Sequence, residues 1–275
     1  MTLAYQDYLK MDKLPHMWCS GCGDGIVVRA IAEALTELNL EKDKVVIATG
    51  IGCWGKADDY FTTHAFHGTH GRALPYATGI KLANPDVHVL VLMGDGDAAT
   101  IGGNHFIHAA RRNIDLTAIV VNNFNYGMTG GQYSATTPLA ARTSTSPKGV
   151  PEPGFDVSNL AEAAGANFVA RTTAYHAVNM RKLIVQAMTK KGFSLVEVLS
   201  SCPTYFGRYN GYSPAVNMMK YLRELGVPKA KYEQLPEKEK EEHFPTGVLT
   251  DKDREDFLTI YKRLNNVKMR GGTNG

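Results

Sequence analysis

The sequence predicts an α/β protein built on a mostly parallel sheet with helices on both faces. Short apolar runs without alternation recur at 45–49, 87–93, 116–121, 167–170 and 194–199. Strands read this way when both of their faces are covered. Stretches of helical spacing lie between them, at 71–83, 103–112, 158–164 and 175–191. The two patterns alternate along the chain, which is the order that builds a parallel sheet through crossover helices.

Each element follows from its residues. Ile26, Val27, Ala30, Ile31, Ala34, Leu35 and Leu38 recur at helical spacing and predict a helix from Asp24 to Leu40. Val45-Val46-Ile47-Ala48 is a buried strand that breaks at "GIGCWG". Residues 125–157 are rich in Gly, Thr, Ser and Pro and are expected as a long ordered loop or lid. Beyond it, residues 214–226 read as a helix, "LPEKEKEEHFPTG" as a charged connector, and 251–265 as a surface helix. The expected division is an α/β domain over residues 1–213 and a helical extension over 214–275, packed on the same domain.

Composition narrows the function. The 275 residues are 44% hydrophobic and 21% charged, ordinary values for a globular protein. A net charge of +3 is too weak to suggest a nucleic-acid surface. No apolar run is long enough for a membrane span, and "MTLAYQDYLKMDKLP" lacks the apolar core of a signal peptide. The expected location is the cytoplasm, where thiols stay reduced.

The four cysteines are Cys19, Cys22, Cys53 and Cys202. Their spacing allows a redox pair with two buried thiols. It also allows a four-thiolate site for zinc or an iron–sulfur cluster. Cys53 and Cys202 both follow strand-like runs, and the ends of parallel strands converge on one edge of a sheet.

The run Val87–Met93 stops at Gly94-Asp95-Gly96-Asp97. Glycines there permit a tight turn and close approach of a ligand. A helix starting near Gly103 would aim backbone N–H groups at an anion. Acids beside an anion require a divalent cation between them, so Asp95 is expected to hold Mg²⁺ and Mg²⁺ a diphosphate. One strand downstream, Asn122-Asn123 offers a side-chain oxygen and Asn125 a backbone one. Gly-Asp-Gly followed by Asn-Asn, each after an apolar strand, is the fingerprint of thiamine diphosphate enzymes.

Cysteine layout and thiamine motif together resemble the β subunit of 2-oxoacid:ferredoxin oxidoreductases. The stretches that carry the resemblance are "WCSGCGDG", "GIGCWG", "THGRALPYATGIKLANP", "GDGDAATIGGNHFIHAARRNIDLT" and "NNFNYGMTGGQYSATTP", which cover most of residues 15–210 in family order. "NYGMTGGQYS" brings it nearest to the enzymes acting on 2-oxoglutarate. The resemblance implies a thiamine diphosphate-binding domain of the diphosphate-holding type. It implies Cys19, Cys22, Cys53 and Cys202 as ligands of a [4Fe-4S] cluster, and Asp95, Asn123 and the Asn125 carbonyl as ligands of Mg²⁺. Gly96 and Asp97 would lie beside the diphosphate, and Ile51, Gly52, Cys53 and Trp54 along the thiamine side. Gly127 and Met128 match the loop that approaches the cofactor. His70, in "THGR", matches a position near cofactor and substrate and is the catalytic candidate. Some relatives carry a Lys, credited with binding a substrate carboxylate, where this chain has Gly130. That departure leaves the source of substrate specificity open.

The implied reaction is coenzyme A-dependent oxidative decarboxylation of a 2-oxoacid, foremost 2-oxoglutarate to succinyl-CoA, with electrons passing through the cluster to ferredoxin. Pyruvate or a branched-chain 2-oxoacid is the alternative substrate, and a non-oxidative thiamine decarboxylase subunit the alternative enzyme. The glutamate that activates the aminopyrimidine, and part of the coenzyme A site, are expected from a partner α subunit in a heterodimer or a dimer of heterodimers. His64 and His67 read as structural residues, and no membrane or nucleic-acid partner is implied.

Overall fold

The computed structural model describes residues 4–265. Strands β1 (Val45–Thr49), β2 (His64–His67), β3 (His88–Gly94), β4 (Thr117–Asn122), β5 (Phe168–Thr173), β6 (Ser194–Leu199), β7 (Gly226–Pro228) and β8 (Phe244–Asp251) form one sheet. Its order is β2-β1-β3-β4-β6-β5-β8-β7. The pairings among β1 to β6 are all parallel; β8 runs antiparallel to β5, and β7 parallel to β8. The sheet is thus mostly parallel, as the sequence predicts.

Strand β3 shows why its pattern does not alternate. Leu90 and Leu92 enter one apolar core and Val89 and Val91 the other, all almost fully buried. Helices α1 (Asp24–Glu37) and α5 (Ala177–Thr189) cover the first face. Helices α2 (Ala73–Ala83), α3 (Gly103–Arg111) and α4 (Val157–Ala164) cover the second. Asp156 caps α4, its Oδ1 accepting from the Asn159 N–H at 2.8 Å. Helix α6 (Ala215–Leu225) places Met218 and Leu222 in a third cluster with Phe124, Leu199 and Phe206, beside the ends of β4 and β6. Short helices α7 (Lys229–Tyr232) and α8 (Glu237–Lys240) and helix α9 (Phe257–Asn265) complete the described chain. Among its helices, none is long and apolar enough to cross a membrane.

Three expectations change. The first helix ends at Glu37, three residues before Leu40. The sequence reading has no strand at 64–67, because all four residues of β2 are exposed on the sheet edge and carry no burial pattern. The C-terminal part, expected as helical with a charged connector, also contributes β7 and β8. Pro245 and Gly247, the latter at φ +104°, disguise β8 as a connector, and only pairing with β5 makes it a strand. Helix α9 therefore starts at Phe257 instead of 251. Residues 125–157 hold no helix or strand before Val157, apart from a single bridge between Tyr126 and Gln132.

Candidate functional site

Because β1, β3, β4 and β6 are consecutive in the sheet and parallel, their C-terminal ends stand side by side. The loops that leave them carry the candidate residues. Crevices at such an edge, where neighbouring loops diverge, are the usual ligand site of open α/β sheets. Here β2 lies to one side of β1 and β3 to the other, so a pocket opens at that reversal.

The pocket is lined from each strand end in turn. Ile51, Gly52, Cys53 and Trp54 come from β1; Asp95, Gly96 and Asp97 from β3; Asn123, Asn125, Gly127 and Met128 from β4; and His70 from the turn after β2. Trp54 is 2% exposed, and its Nε1 donates to the Ile119 carbonyl at 3.2 Å, so most of the indole is core. Ile51 and Met128, by contrast, present exposed apolar surface.

Asp95 is buried and fixed. Ser134 Oγ donates to its Oδ2 at 2.5 Å and Thr136 Oγ1 to the same oxygen at 2.7 Å. Burial lifts this carboxyl to about 6 against the pull of those hydroxyls. The two asparagines divide. Asn122 turns inward, its Nδ2 donating to Glu197 Oε1 at 2.9 Å. Asn123 faces the pocket with Asp95 and Asn125. Asn125 Nδ2 donates to the Asn123 carbonyl at 2.9 Å and ties the turn together.

Asp97 turns to His70. Its Oδ1 accepts from His70 Nδ1 at 2.5 Å and from the Gly71 N–H at 2.6 Å. A carboxylate acceptor puts the proton on Nδ1 and leaves Nε2 as the acceptor of a neutral ring. The His70 side chain is 31% exposed while Asp97 is almost fully buried, so the imidazole is the accessible member of the pair. His64 and His67 stay apart from it: His67 Nδ1 meets Asp58 Oδ2 at 3.1 Å and His64 faces Asp43.

All four cysteines line a second, adjacent pocket. Cys22 N–H donates to the Cys19 carbonyl at 3.0 Å, closing the Cys-x-x-Cys turn. Ser201 Oγ donates to the Gly21 carbonyl at 2.7 Å and fastens that turn to the end of β6, beside Cys202. Trp18 Nε1 donates to the Cys53 carbonyl at 2.7 Å and covers the pocket from the side of the N-terminal segment. The thiols are free. Burial pushes the Cys22 thiol far above its ordinary value and the Cys53 thiol up to about 12, with the nearby Asp24 and the other cysteines adding to the effect. Among the described residues, no group of three His, Cys, Asp or Glu side chains is placed to hold a single metal ion.

The two pockets share Cys53, Asn123, Gly127 and Met128. A Cβ on Gly127 would stand 3.5 Å from Cys53 Sγ and 3.6 Å from Cys202 Sγ. Gly127 thus lines both pockets beside the thiols with no side chain of its own. At Gly96 a Cβ would strike the Tyr126 ring at 2.3 Å, so only glycine lets the turn after β3 pass beneath that ring.

Oxygen donors at one end, a carboxylate whose second oxygen is unencumbered by hydroxyls, and a helical turn beginning at Gly96 suit a magnesium diphosphate. Four soft donors around one pocket suit a four-iron cluster, which takes one thiolate per corner and so gathers its ligands around a cavity instead of a point.

The residues that sequence reasoning passes over are Ser134, Thr136 and Glu197; Asn122 it offers only together with Asn123. The first two lie in "GQYSATTP", a stretch legible as a motif but silent about which hydroxyl reaches which carboxylate.

Fold and pocket define a thiamine diphosphate-binding domain, and the family model for the thiamine pyrophosphate enzyme C-terminal TPP-binding domain matches residues 42–198. The chain is 44% identical over 262 residues to the 2-oxoglutarate synthase subunit KorB of Methanocaldococcus jannaschii, covering 95% of this chain and 97% of that one. It is 52% identical over 224 residues to the subunit of the same name from Archaeoglobus fulgidus, covering 82% of each. A solved 2-oxoglutarate:ferredoxin oxidoreductase from Magnetococcus marinus, with 2-oxoglutarate, coenzyme A and succinyl-CoA bound, superposes with a TM-score of 0.85 at 29% identity, over 100% of this chain and 93% of that one. The chain belongs to the β-subunit family of the 2-oxoacid:ferredoxin oxidoreductases.

Proposed function

We propose that this chain is the thiamine- and cluster-bearing subunit of a coenzyme A-dependent oxidoreductase that converts 2-oxoglutarate to succinyl-CoA and CO₂ and passes the electrons to ferredoxin. The observation that carries the reading is the shared wall. Cys53 and Gly127 face the thiamine pocket on one side and the cysteine pocket on the other. Electrons released in one pocket have one layer of protein to cross.

Thiamine diphosphate, when bound, supplies a carbon nucleophile for the 2-oxoacid ketone and a ring that accepts the electrons left by departing CO₂. Asp95, Asn123 and the Asn125 carbonyl would hold Mg²⁺ against the diphosphate, with Gly96 beside it. Cys19, Cys22, Cys53 and Cys202 would hold the [4Fe-4S] cluster. His70 handles protons at Nε2, and Asp97 keeps it in the tautomer that can accept one. Ile51 and Met128 provide apolar walls that exclude water. The α subunit supplies the activating glutamate and coenzyme A contacts, so this chain by itself is inactive. The choice of 2-oxoglutarate rests on the names of the KorB relatives and on the ligands of the Magnetococcus enzyme.

The test is iron and acid-labile sulfide per chain on anaerobically purified protein. About four of each are expected for one [4Fe-4S] cluster. Zinc, or no metal, would overturn the electron-transfer reading and favour a non-oxidative decarboxylase. Co-expression with the α subunit then ranks 2-oxoglutarate against pyruvate and branched-chain 2-oxoacids by kcat/KM.

A further inference from the structure

We propose that Thr136 and Ser134 are positioning residues for the cation site: they fix the carboxylate of Asp95 and, through Asn122, tie it to the buried Glu197–Arg171 pair. The inference rests on the reading of Asp95 as the Mg²⁺ ligand.

A carboxylate oxygen has two lone-pair sites. Ser134 and Thr136 occupy both on Oδ2 of Asp95, at 2.5 and 2.7 Å. The cation is therefore left with Oδ1. The hydroxyls decide which oxygen binds the metal and lock the side-chain angle at which it does so.

Thr136 Oγ1 also lies 3.0 Å from Asn122 Oδ1, so its single proton is shared in a three-centre bond between Asp95 and Asn122. The amide of Asn122 cannot flip. Its Nδ2 donates to the Glu197 carboxylate at 2.9 Å, and the Phe124 N–H donates to its Oδ1 at 3.2 Å. Glu197 is in turn held by Ser158 Oγ at 2.6 Å and by Arg171 Nε at 2.8 Å. Arg171 is fully buried and also pairs with Asp156, the cap of α4.

The chain of contacts runs from the end of β3 across β4 and β6 to β5. All its side chains are buried except Asp156, which is half-buried. Charged groups placed so deep need fixed partners. It also pins the long loop: Thr136 holds its middle to the cation site and Asp156 holds its end to β5. Outer-shell partners of this kind orient ligands, and removing one weakens a metal by about 10–100-fold.

The test uses the complex of α and β subunits, stripped of thiamine diphosphate and divalent metal, with its iron retained. Mn²⁺ affinity in the presence of thiamine diphosphate is read by electron paramagnetic resonance. Thr136→Val and Ser134→Ala should each weaken Mn²⁺ about tenfold or more, with iron content unchanged. Thr136→Ser, which keeps the hydroxyl, should bind as the parent does. Asp95→Asn separates the two readings. If Asp95→Asn loses Mn²⁺ while Thr136→Val and Ser134→Ala bind within twofold of the parent, the positioning role is wrong and the ligand assignment stands. If Asp95→Asn binds normally, the ligand assignment itself falls. Should Thr136→Val fail to fold, Ser134→Ala carries the same decision.

Discussion

The two pockets at the strand ends differ in how far the protein completes them. The thiamine pocket is largely preorganised: Asp95, Asp97, Asn123 and Asn125 each have hydrogen-bond partners in the folded chain. The cysteine pocket is not. Its thiols are free, and burial, with Asp24 and the neighbouring cysteines adding to it, favours keeping Cys22 and Cys53 protonated. Oxygen ligands can be preorganised by hydroxyls and amides. Thiolates cannot be buried without positive charge, so a cluster bound there would have to displace the protons itself. On the proposed reading the oxygen site exists before its cation, whereas the sulfur site would be completed by its metal.

That contrast can be broken at its strongest point. Cys202→Ser should reduce iron from about four per chain to nearly none, with thiamine diphosphate binding preserved. Full iron content would place the fourth ligand elsewhere. Next in size, His70→Asn should lower kcat by about 10²–10⁴-fold with little change in thiamine diphosphate affinity; an unchanged kcat would remove His70 from proton transfer. Gly127→Ala probes the wall. Its new methyl stands at ordinary contact distance, 3.5 and 3.6 Å, from two sulfurs and adds bulk between the pockets, so reduction of ferredoxin should slow modestly, by about tenfold or less, while thiamine diphosphate still binds. Equal rates would mean that electrons cross elsewhere.

A smaller effect sharpens the comparison from the far edge of the sheet. There the protein completes an ionic site with its own residues: Lys81 Nζ meets Asp115 Oδ2 at 2.9 Å and Lys191 Nζ meets it at 2.7 Å. Burial alone would raise the Asp115 carboxyl, but the two lysines and the Gly192 N–H hold it below the usual range. Its stabilising contribution is therefore complete above the unfolded value of about 3.9 and is lost as pH falls through the lower folded value. Asp115→Asn should cost about 1–3 kcal/mol near neutral pH. The gap from the parent should close below about pH 3. A gap that persists in acid, followed by thermal unfolding against pH, would assign the loss to packing.

By itself the sequence determined the parallel sheet, because the doubly buried runs at 45–49, 87–93 and 194–199 are apolar without alternation and so declare their environment locally. It also marked Asp95, the Asn122-Asn123 pair and the four cysteines, whose chemistry is uncommon enough to stand out from the surrounding sequence. Only the tertiary structure decided the rest. The strand at Phe244–Asp251 exists because β5 offers it an edge, not because of its own pattern. Asn122 and Asn123 are adjacent and chemically identical, yet Asn122, the last residue of β4, turns to Glu197 and Asn123, just beyond it, lines the pocket. Ser134 and Thr136 reach Asp95 across 39 and 41 residues of chain. Nothing local to a hydroxyl says which carboxylate it will meet. Side-chain type and short-range spacing are written in the sequence, but contacts between distant segments are fixed only when the sheet sets its strands in order.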